Sequence, residues 1–381
     1  MRVHFVLLTS ILFTLSACSG GNGNNTSTNT GSSSSSGGGS AGSGGDGGGG
    51  AGGGSAGAGG DAGAGGSAGM GGAGGGGVPA ESVTLRAEPC EKQVMAATKC
   101  ESYEVVCGGA DPAIVDVAYF EPAGGATKGA IIFGSGGDGT GYYQFVQRKA
   151  LMDAGFTVLD RRWPGGWFTG AKDGPQQAAC RYAALARYLK KNVAKDKLLC
   201  ATGNSGGSAE IGYAVTWQQA GKVLDYALPT SGPFHRLDYA CNGALDVAWT
   251  AECAALKAGS CPDCASTGCQ LGNGPRSLID QSFGGATRCS APMAGDLDIL
   301  KAASPDVGPN AASLDGARVH FAVGKLDPGA YQPLVTALYN ELSAKGANVK
   351  VSYVAGAAHE MDQSIEGATF IRDTLLAECA P

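Results

Sequence analysis

The stretch Lys197-Leu198-Leu199-Cys200-Ala201-Thr202-Gly203-Asn204-Ser205-Gly206-Gly207-Ser208 decides how this chain is read. An apolar run of strand length ends in a Gly-x-Ser-x-Gly turn, and residues 208–219 continue as a helix. Strand, tight turn and helix together project a serine hydroxyl from the carboxyl edge of a sheet. Glycines flank Ser205 because side chains there would collide with the neighbouring strand and helix backbones. The helix also directs its first N–H groups, and its partial positive charge, toward an oxyanion forming beside Ser205. The pentapeptide alone says little in a chain with 66 glycines; its place between strand and helix is what informs.

Outward from this turn, strand-like and helix-like segments alternate. The pattern predicts strands at 103–107, 114–120, 129–133, 156–160, 197–201, 223–228, 318–323 and 349–354, and helices at 142–154, 176–193, 208–219, 331–344 and 363–376. The run Gly129-Ala130-Ile131-Ile132-Phe133 is apolar almost throughout, as a strand buried on both faces should be. In 176–193, Tyr182, Leu185, Leu189 and Val193 share one helical face. Such alternation predicts the α/β class, with a mainly parallel central sheet and helices on both faces. It breaks between residue 231 and about residue 317, which reads as a cap inserted over one end of the sheet.

From about residue 114 to 376 the chain resembles the α/β-hydrolase superfamily, and its serine esterases in particular. The resemblance rests on Gly203-Asn204-Ser205-Gly206-Gly207 and on two downstream stretches. Arg318-Val319-His320-Phe321-Ala322-Val323-Gly324-Lys325-Leu326-Asp327 places Asp327 just after a strand, and Val351-Ser352-Tyr353-Val354-Ala355-Gly356-Ala357-Ala358-His359 places His359 after the next. The superfamily order of nucleophile, acid and histidine implies Ser205 as nucleophile, Asp327 as acid and His359 as general base. Asp238 is the alternative acid, because a minority of the family takes it from the strand preceding the cap. Of four histidines, His4 leaves with a signal segment and His320 lies inside a strand as a structural side chain; His235 is a candidate pocket residue and the alternative base. The loop Phe133-Gly134-Ser135-Gly136-Gly137-Asp138-Gly139-Thr140-Gly141 resembles the family's His-Gly-Gly stretch, with Phe133 where many members have His. It implies an oxyanion hole formed by the N–H of Gly206 and a second N–H, with Ser135 and Gly136 both open as its source. A phosphate-binding reading of the same loop lacks a Gly-Lys-Ser/Thr ending.

The segment Arg161-Arg162-Trp163-Pro164-Gly165-Gly166-Trp167-Phe168 leaves a strand at the same sheet edge. Trp163, Trp167 and Phe168 are candidate substrate contacts or a roof over the core, and both readings stay open. Arg161 and Arg162 read as a solvated pair beside a turn, the alternative being a grip on a substrate carboxylate.

Composition sets the rest. Thirty of the 66 glycines fall in residues 19–77, where Asp46 and Asp61 are the sole charges and there is no aromatic residue. Such a segment buries too little apolar surface to offset ordering entropy and reads as a disordered tether, with a root-mean-square reach of roughly 40 Å. Ahead of it, residues 1–17 have a signal peptide's apolar run, and Leu15-Ser16-Ala17-Cys18 resembles the lipobox of bacterial lipoproteins, which implies lipidation of Cys18. The expected organisation is signal peptide 1–17, lipidated Cys18 and linker 18–77, and a hydrolase domain 78–381 whose cap spans about 231–317. The expected location is the outer membrane or surface of a bacterium.

Thirteen cysteines less Cys18 leave an even number, which in an exported chain predicts disulfides of unreadable pairing. Six crowd into residues 241–289, where covalent staples would substitute for core; a zinc site on Cys261-x2-Cys264 is the rival reading. Cys200 stays open between a buried thiol and a bridge. A net charge of −6 without a basic run argues against a nucleic-acid partner. The overall expectation is a monomeric serine hydrolase that needs no cofactor or metal and cleaves small-molecule or polymeric carboxylic esters at the cell surface. A peptidase of the same fold and a non-catalytic binding module are the alternatives.

Overall fold

The structure is a computed structural model that describes residues 81–380 apart from 91–93, 126, 233–234 and 243–245. The expected signal peptide, Cys18 and linker therefore lie outside the described residues. Strands β1 (Ser82–Leu85), β2 (Lys99–Cys107) and β3 (Ala110–Phe120) form an antiparallel approach to the sheet. There follow β4 (Gly129–Gly134), α1 (Arg148–Asp153), β5 (Phe156–Arg162), α2 (Pro175–Ala178), α3 (Cys180–Leu189), β6 (Leu198–Asn204), α4 (Gly206–Trp217) and β7 (Tyr226–Thr230). The segment between β7 and β8, where the cap is expected, holds α5 (Leu237–Asn242), α6 (Val247–Ser260), α7 (Asn273–Ser282) and α8 (Asp296–Ala302). The chain then closes with β8 (Arg318–Gly324), α9 (Tyr331–Ala344), β9 (Val349–Val354) and α10 (Ile365–Glu378). The nine strands form one sheet in the order β1-β2-β3-β5-β4-β6-β7-β8-β9, parallel from β5 across to β9.

The sheet is buried on both faces because its strands are apolar at successive positions. On β4, Ala130 and Ile132 join the core shared with Tyr182, Leu185, Ile211 and Leu334 of α3, α4 and α9, whereas Ile131 and Phe133 join Leu151, Ile371 and Leu375 of α1 and α10 on the opposite face. The period of two thus splits one short run between two cores.

Several predicted boundaries move, each for a local reason. The helix expected at 142–154 forms only from Arg148, because the Tyr143 and Gln144 N–H groups donate to the buried Asp160 carboxylate at 2.8 and 2.9 Å. That pins the segment as a loop, with Gln144 at φ 54°. The helix expected at 176–193 divides into α2 and α3 and ends in a widened π turn, Lys190–Ala194. The strand expected from 223 begins at Tyr226, since a 3-10 turn at Ala220–Lys222 draws the Leu224 N–H back to the Ala220 carbonyl at 2.9 Å. Ser364 caps α10 through the Gly367 N–H at 3.0 Å, shifting that helix two residues along.

Six disulfides join Cys90–Cys100, Cys107–Cys180, Cys200–Cys379, Cys241–Cys289, Cys253–Cys269 and Cys261–Cys264. Cys261 and Cys264 are therefore bonded to each other, in place of the rival zinc reading, and Cys200 is a bridge. That bridge crosses 179 residues and ties the end of α10 to the nucleophile strand β6. Replacing Cys200 and Cys379 together by alanine is expected to cost about 2–5 kcal/mol of unfolding free energy, read from denaturant midpoints, because so long a loop closes at a large entropic cost. An unshifted midpoint would contradict this.

Candidate active site

Ser205 sits alone between β6 and α4 with φ 51° and ψ −113°, a conformation that non-glycine residues seldom adopt. Its N–H donates to the Thr230 carbonyl at 2.9 Å, and its own carbonyl accepts from Ser208 and Ala209 N–H groups at 3.0 Å, so strand and helix are joined through this one residue. The turn works because glycines surround it. A Cβ on Gly203 would lie 2.8 Å from the Gly207 carbonyl, and one on Gly206 would lie 1.8 Å from the Gly137 oxygen.

Asp327 and His359 come from neighbouring strand ends. The loops after β8 and β9 are laced together by Lys325 N–H to the Val354 carbonyl at 2.9 Å and Leu326 N–H to the Ala357 carbonyl at 2.8 Å. Asp327, 1% exposed, accepts from the Gly329 N–H at 2.9 Å and holds His359 Nδ1 at 2.8 Å through its other oxygen. The ring of Tyr331, at the start of α9, lies over the imidazole with centroids 4.3 Å apart. Its hydroxyl is hydrogen-bonded with Ser205, and burial, aided by the Asp327 charge, pushes that phenol up to about 12. Tyr331 had no signal in the sequence beyond opening a predicted helix.

Ser205, Gly206, Asp327, His359 and Phe168 line one cavity of about 620 Å³. Ser205 and His359 also border a second, of about 260 Å³, together with Ser135 and Gly136. Of the glycine loop, Gly136 lies against Ser205, where a Cβ would come within 3.3 Å of the serine Cβ, and Gly137 borders both cavities. The Ser135 hydroxyl is turned aside to donate to the Gly141 carbonyl at 2.5 Å.

The remaining candidates lie elsewhere. Trp163 and Trp167 are fully buried and border neither cavity; Trp163 donates from Nε1 to Glu210 at 2.6 Å, and Trp167 stacks on Phe168. The expected solvated arginines are instead buried ion pairs, Arg161 with Glu210 of α4 and Arg162 with Asp116 at 3.0 Å, because each finds a carboxylate inside the fold. Burial pushes the Glu210 carboxyl up, against the pull of Arg161 and Trp163 toward its charged form. Asp238 pairs with Arg236 at 3.0 Å and not with a histidine. His320 is satisfied by Tyr226 at 3.0 Å and Ser352 at 2.8 Å.

With the site described, the class of structure is plain: the chain has the α/β-hydrolase fold. No protein-family model and no curated protein matches the sequence. Among solved structures, acetyl xylan esterase 1 from Thermoanaerobacterium sp. JW/SL YS485 aligns at a TM-score of 0.50 and 15% identity, over 79% of this chain and 89% of its own. An open-form lipase aligns at 0.44 with 17% identity, over 70% of this chain and 94% of its own. An acylaminoacyl peptidase aligns at 0.48 with 12% identity, over 73% of this chain and 41% of its own.

His235 is buried between the Tyr239 and Trp249 rings, at 6.1 and 6.2 Å, and borders neither cavity. Burial, with Arg236 and Lys345 adding to it, lowers its pKa from 6.5 to about 3. The unfolded chain therefore binds the extra proton between those values, so acidification below 6.5 destabilises the fold by up to about 1.4 kcal/mol per pH unit. His235→Phe should flatten the fall in unfolding free energy between pH 6 and 4, and an unchanged slope would refute this assignment.

Proposed function

We propose that this chain is a serine hydrolase that cleaves carboxylic esters through an acyl-enzyme intermediate. The observation that carries the reading is that Ser205, Asp327 and His359, from three strand ends, line one cavity with the imidazole Nδ1 fixed by the carboxylate at 2.8 Å. Ser205 Oγ attacks the carbonyl carbon while His359 takes its proton; the same proton then passes to the departing alcohol as the acyl–oxygen bond breaks. Water repeats the sequence, forming the carboxylic acid and returning the proton to Ser205. Asp327 holds the tautomer with Nδ1 protonated and stabilises the imidazolium. The Gly206 N–H, at the start of α4, and an N–H of the loop carrying Ser135, Gly136 and Gly137 face the developing oxyanion.

An amide substrate or a non-catalytic role is separated from this reading by one set of assays. The fragment 78–381 should label with a fluorophosphonate probe and hydrolyse p-nitrophenyl esters but leave the matching p-nitroanilides intact. Ser205→Ala should abolish labelling and lower turnover by roughly three to six orders of magnitude. Labelling that survives the substitution would end the proposal, and anilide turnover equal to that of the esters would turn it toward a peptidase.

We also place the enzyme outside the cytoplasm, tethered through a lipid on Cys18. Six disulfides favour an oxidising compartment, and among the described residues no helix is long and apolar enough to cross a membrane. Cys18→Ser in the full chain should abolish incorporation of labelled palmitate and release the protein from the membrane fraction; continued incorporation would disprove the anchor.

A further inference from the structure

The two cavities meet at Ser205, Gly137 and His359, so an ester whose carbonyl lies at the serine must extend into both. Their chemistry differs. The larger is walled by Phe168, Pro275, Leu278, Pro328 and Tyr331, and the carboxyl of Asp327 beside it is committed to His359 and Gly329. An apolar group gains by leaving water there, in proportion to the area it buries. The smaller is walled by Ser135, Tyr142, Asn204, Glu360, Asp362 and Gln363, and no lysine or arginine is among its lining residues. The Ser135 hydroxyl is engaged by the Gly141 carbonyl and the Tyr142 hydroxyl by Cys100 Sγ, which leaves two carboxylates and two carboxamides as a wall that both donates and accepts and suits a group carrying several hydroxyls. A substrate anion seated there would be repelled by Glu360 and Asp362. The arginines that could have received one, Arg161 and Arg162, are committed to Glu210 and Asp116 inside the fold.

His359 borders both cavities and can hand its proton to a leaving oxygen on either side, so the chemistry of the walls sets the direction of the ester. A polyhydroxylated alcohol matches the smaller, polar cavity, and an apolar acyl group matches the larger.

Resting on the ester-hydrolase reading, we propose that the substrates are esters joining an apolar acyl chain to an uncharged polyhydroxylated alcohol, a sugar or polyol, with the alcohol seated against Asn204, Glu360, Asp362 and Gln363. A cationic alcohol is the lesser fit, because the carboxamide N–H groups of Asn204 and Gln363 would have no acceptor to donate to on a cation.

The test holds the acyl group constant and varies the alcohol, using glucose 6-hexanoate, ethyl hexanoate, choline hexanoate and hexanoyl glycolate. The glucose ester should exceed the ethyl and glycolate esters in kcat/KM by at least about tenfold, the range a few added hydrogen bonds supply. The combined Glu360→Gln and Asp362→Asn variant, its fold checked by fluorophosphonate labelling, should narrow the gap between the glucose and glycolate esters. Glucose 6-acetate should be the poorer substrate than glucose 6-hexanoate. An ethyl ester equal to or better than the glucose ester overturns the alcohol subsite, as does an unchanged glucose-to-glycolate ratio in the double variant; a choline ester preferred over glucose replaces it with a cation site; and a preferred acetate overturns the acyl assignment. Each of these leaves Ser205 labelling intact, whereas a failure of the hydrolase reading itself shows as no labelling and no ester turnover.

Discussion

The structure depends on bringing two polypeptide backbones and a strained serine to nearly one point. At Ser205 the chain leaves β6, turns through a positive φ and enters α4 within a single residue, and the Gly137 carbonyl lies where a Cβ of Gly206 would be. A methyl group at either flanking glycine would force the elbow away from the strand or from the loop after β4. The strain of one unfavourable φ/ψ pair, of order 1–3 kcal/mol, persists because the sheet, α4 and the Thr230 carbonyl all hold the serine from outside. What the strain secures is placement: the hydroxyl stands at the sheet edge with the first N–H groups of a helix beside it.

The acid and histidine are placed by a different device. Neither lies on a regular element; both sit on loops, which are ordinarily the least fixed parts of a fold. Here β8 and β9 are adjacent and parallel, and their loops exchange backbone hydrogen bonds before Asp327 and His359 are reached. The Gly324 backbone packs so closely on the Ala357 carbonyl that a Cβ would approach within 2.4 Å. The pair is thereby a property of two closely packed backbones, with the Tyr331 ring covering one face of the imidazole.

The parts legible in the sequence were those set by local pattern. The strand-turn-helix at 197–208, the helix at 331–344 and the strand at 349–354 could be read because apolar periodicity and glycine placement are written within a few residues. The order Ser205, Asp327, His359 was legible by resemblance, and the structure brings the three to one cavity. What escaped depends on distant partners. The loop at 142–147 looked helical because its own residues permit a helix, whereas Asp160 captures its N–H groups from the next strand. Tyr331 meets Ser205 across more than a hundred residues, and the disulfide pairing is likewise set by the fold and not by spacing. Arg161 and Arg162 looked solvated because neither Glu210 nor Asp116 is near them in sequence.

Those arginines explain how a loop made largely of glycine can keep a fixed shape. The stretch from Gly134 to Gly141 has few side chains with which to pack itself, and glycine loses more freedom than any residue when ordered. Its order is imposed from β5 and the segment beyond. The backbone N–H groups of Trp163 and Trp167 donate to the Gly139 and Asp138 carbonyls at 2.9 and 2.8 Å, and Arg162 Nε donates to the Thr140 carbonyl at 2.8 Å. The Arg161 guanidinium fills the space that side chains on Gly134 and Gly139 would occupy, and Glu210 of α4 neutralises it. A buried ion pair gains little stability over well-packed apolar groups, since desolvation offsets most of the attraction. It does, however, couple the glycine loop to the helix that begins at Ser205, so both donors expected around an oxyanion are referred to one frame. An apolar substitute of equal volume would fill the space without joining the two.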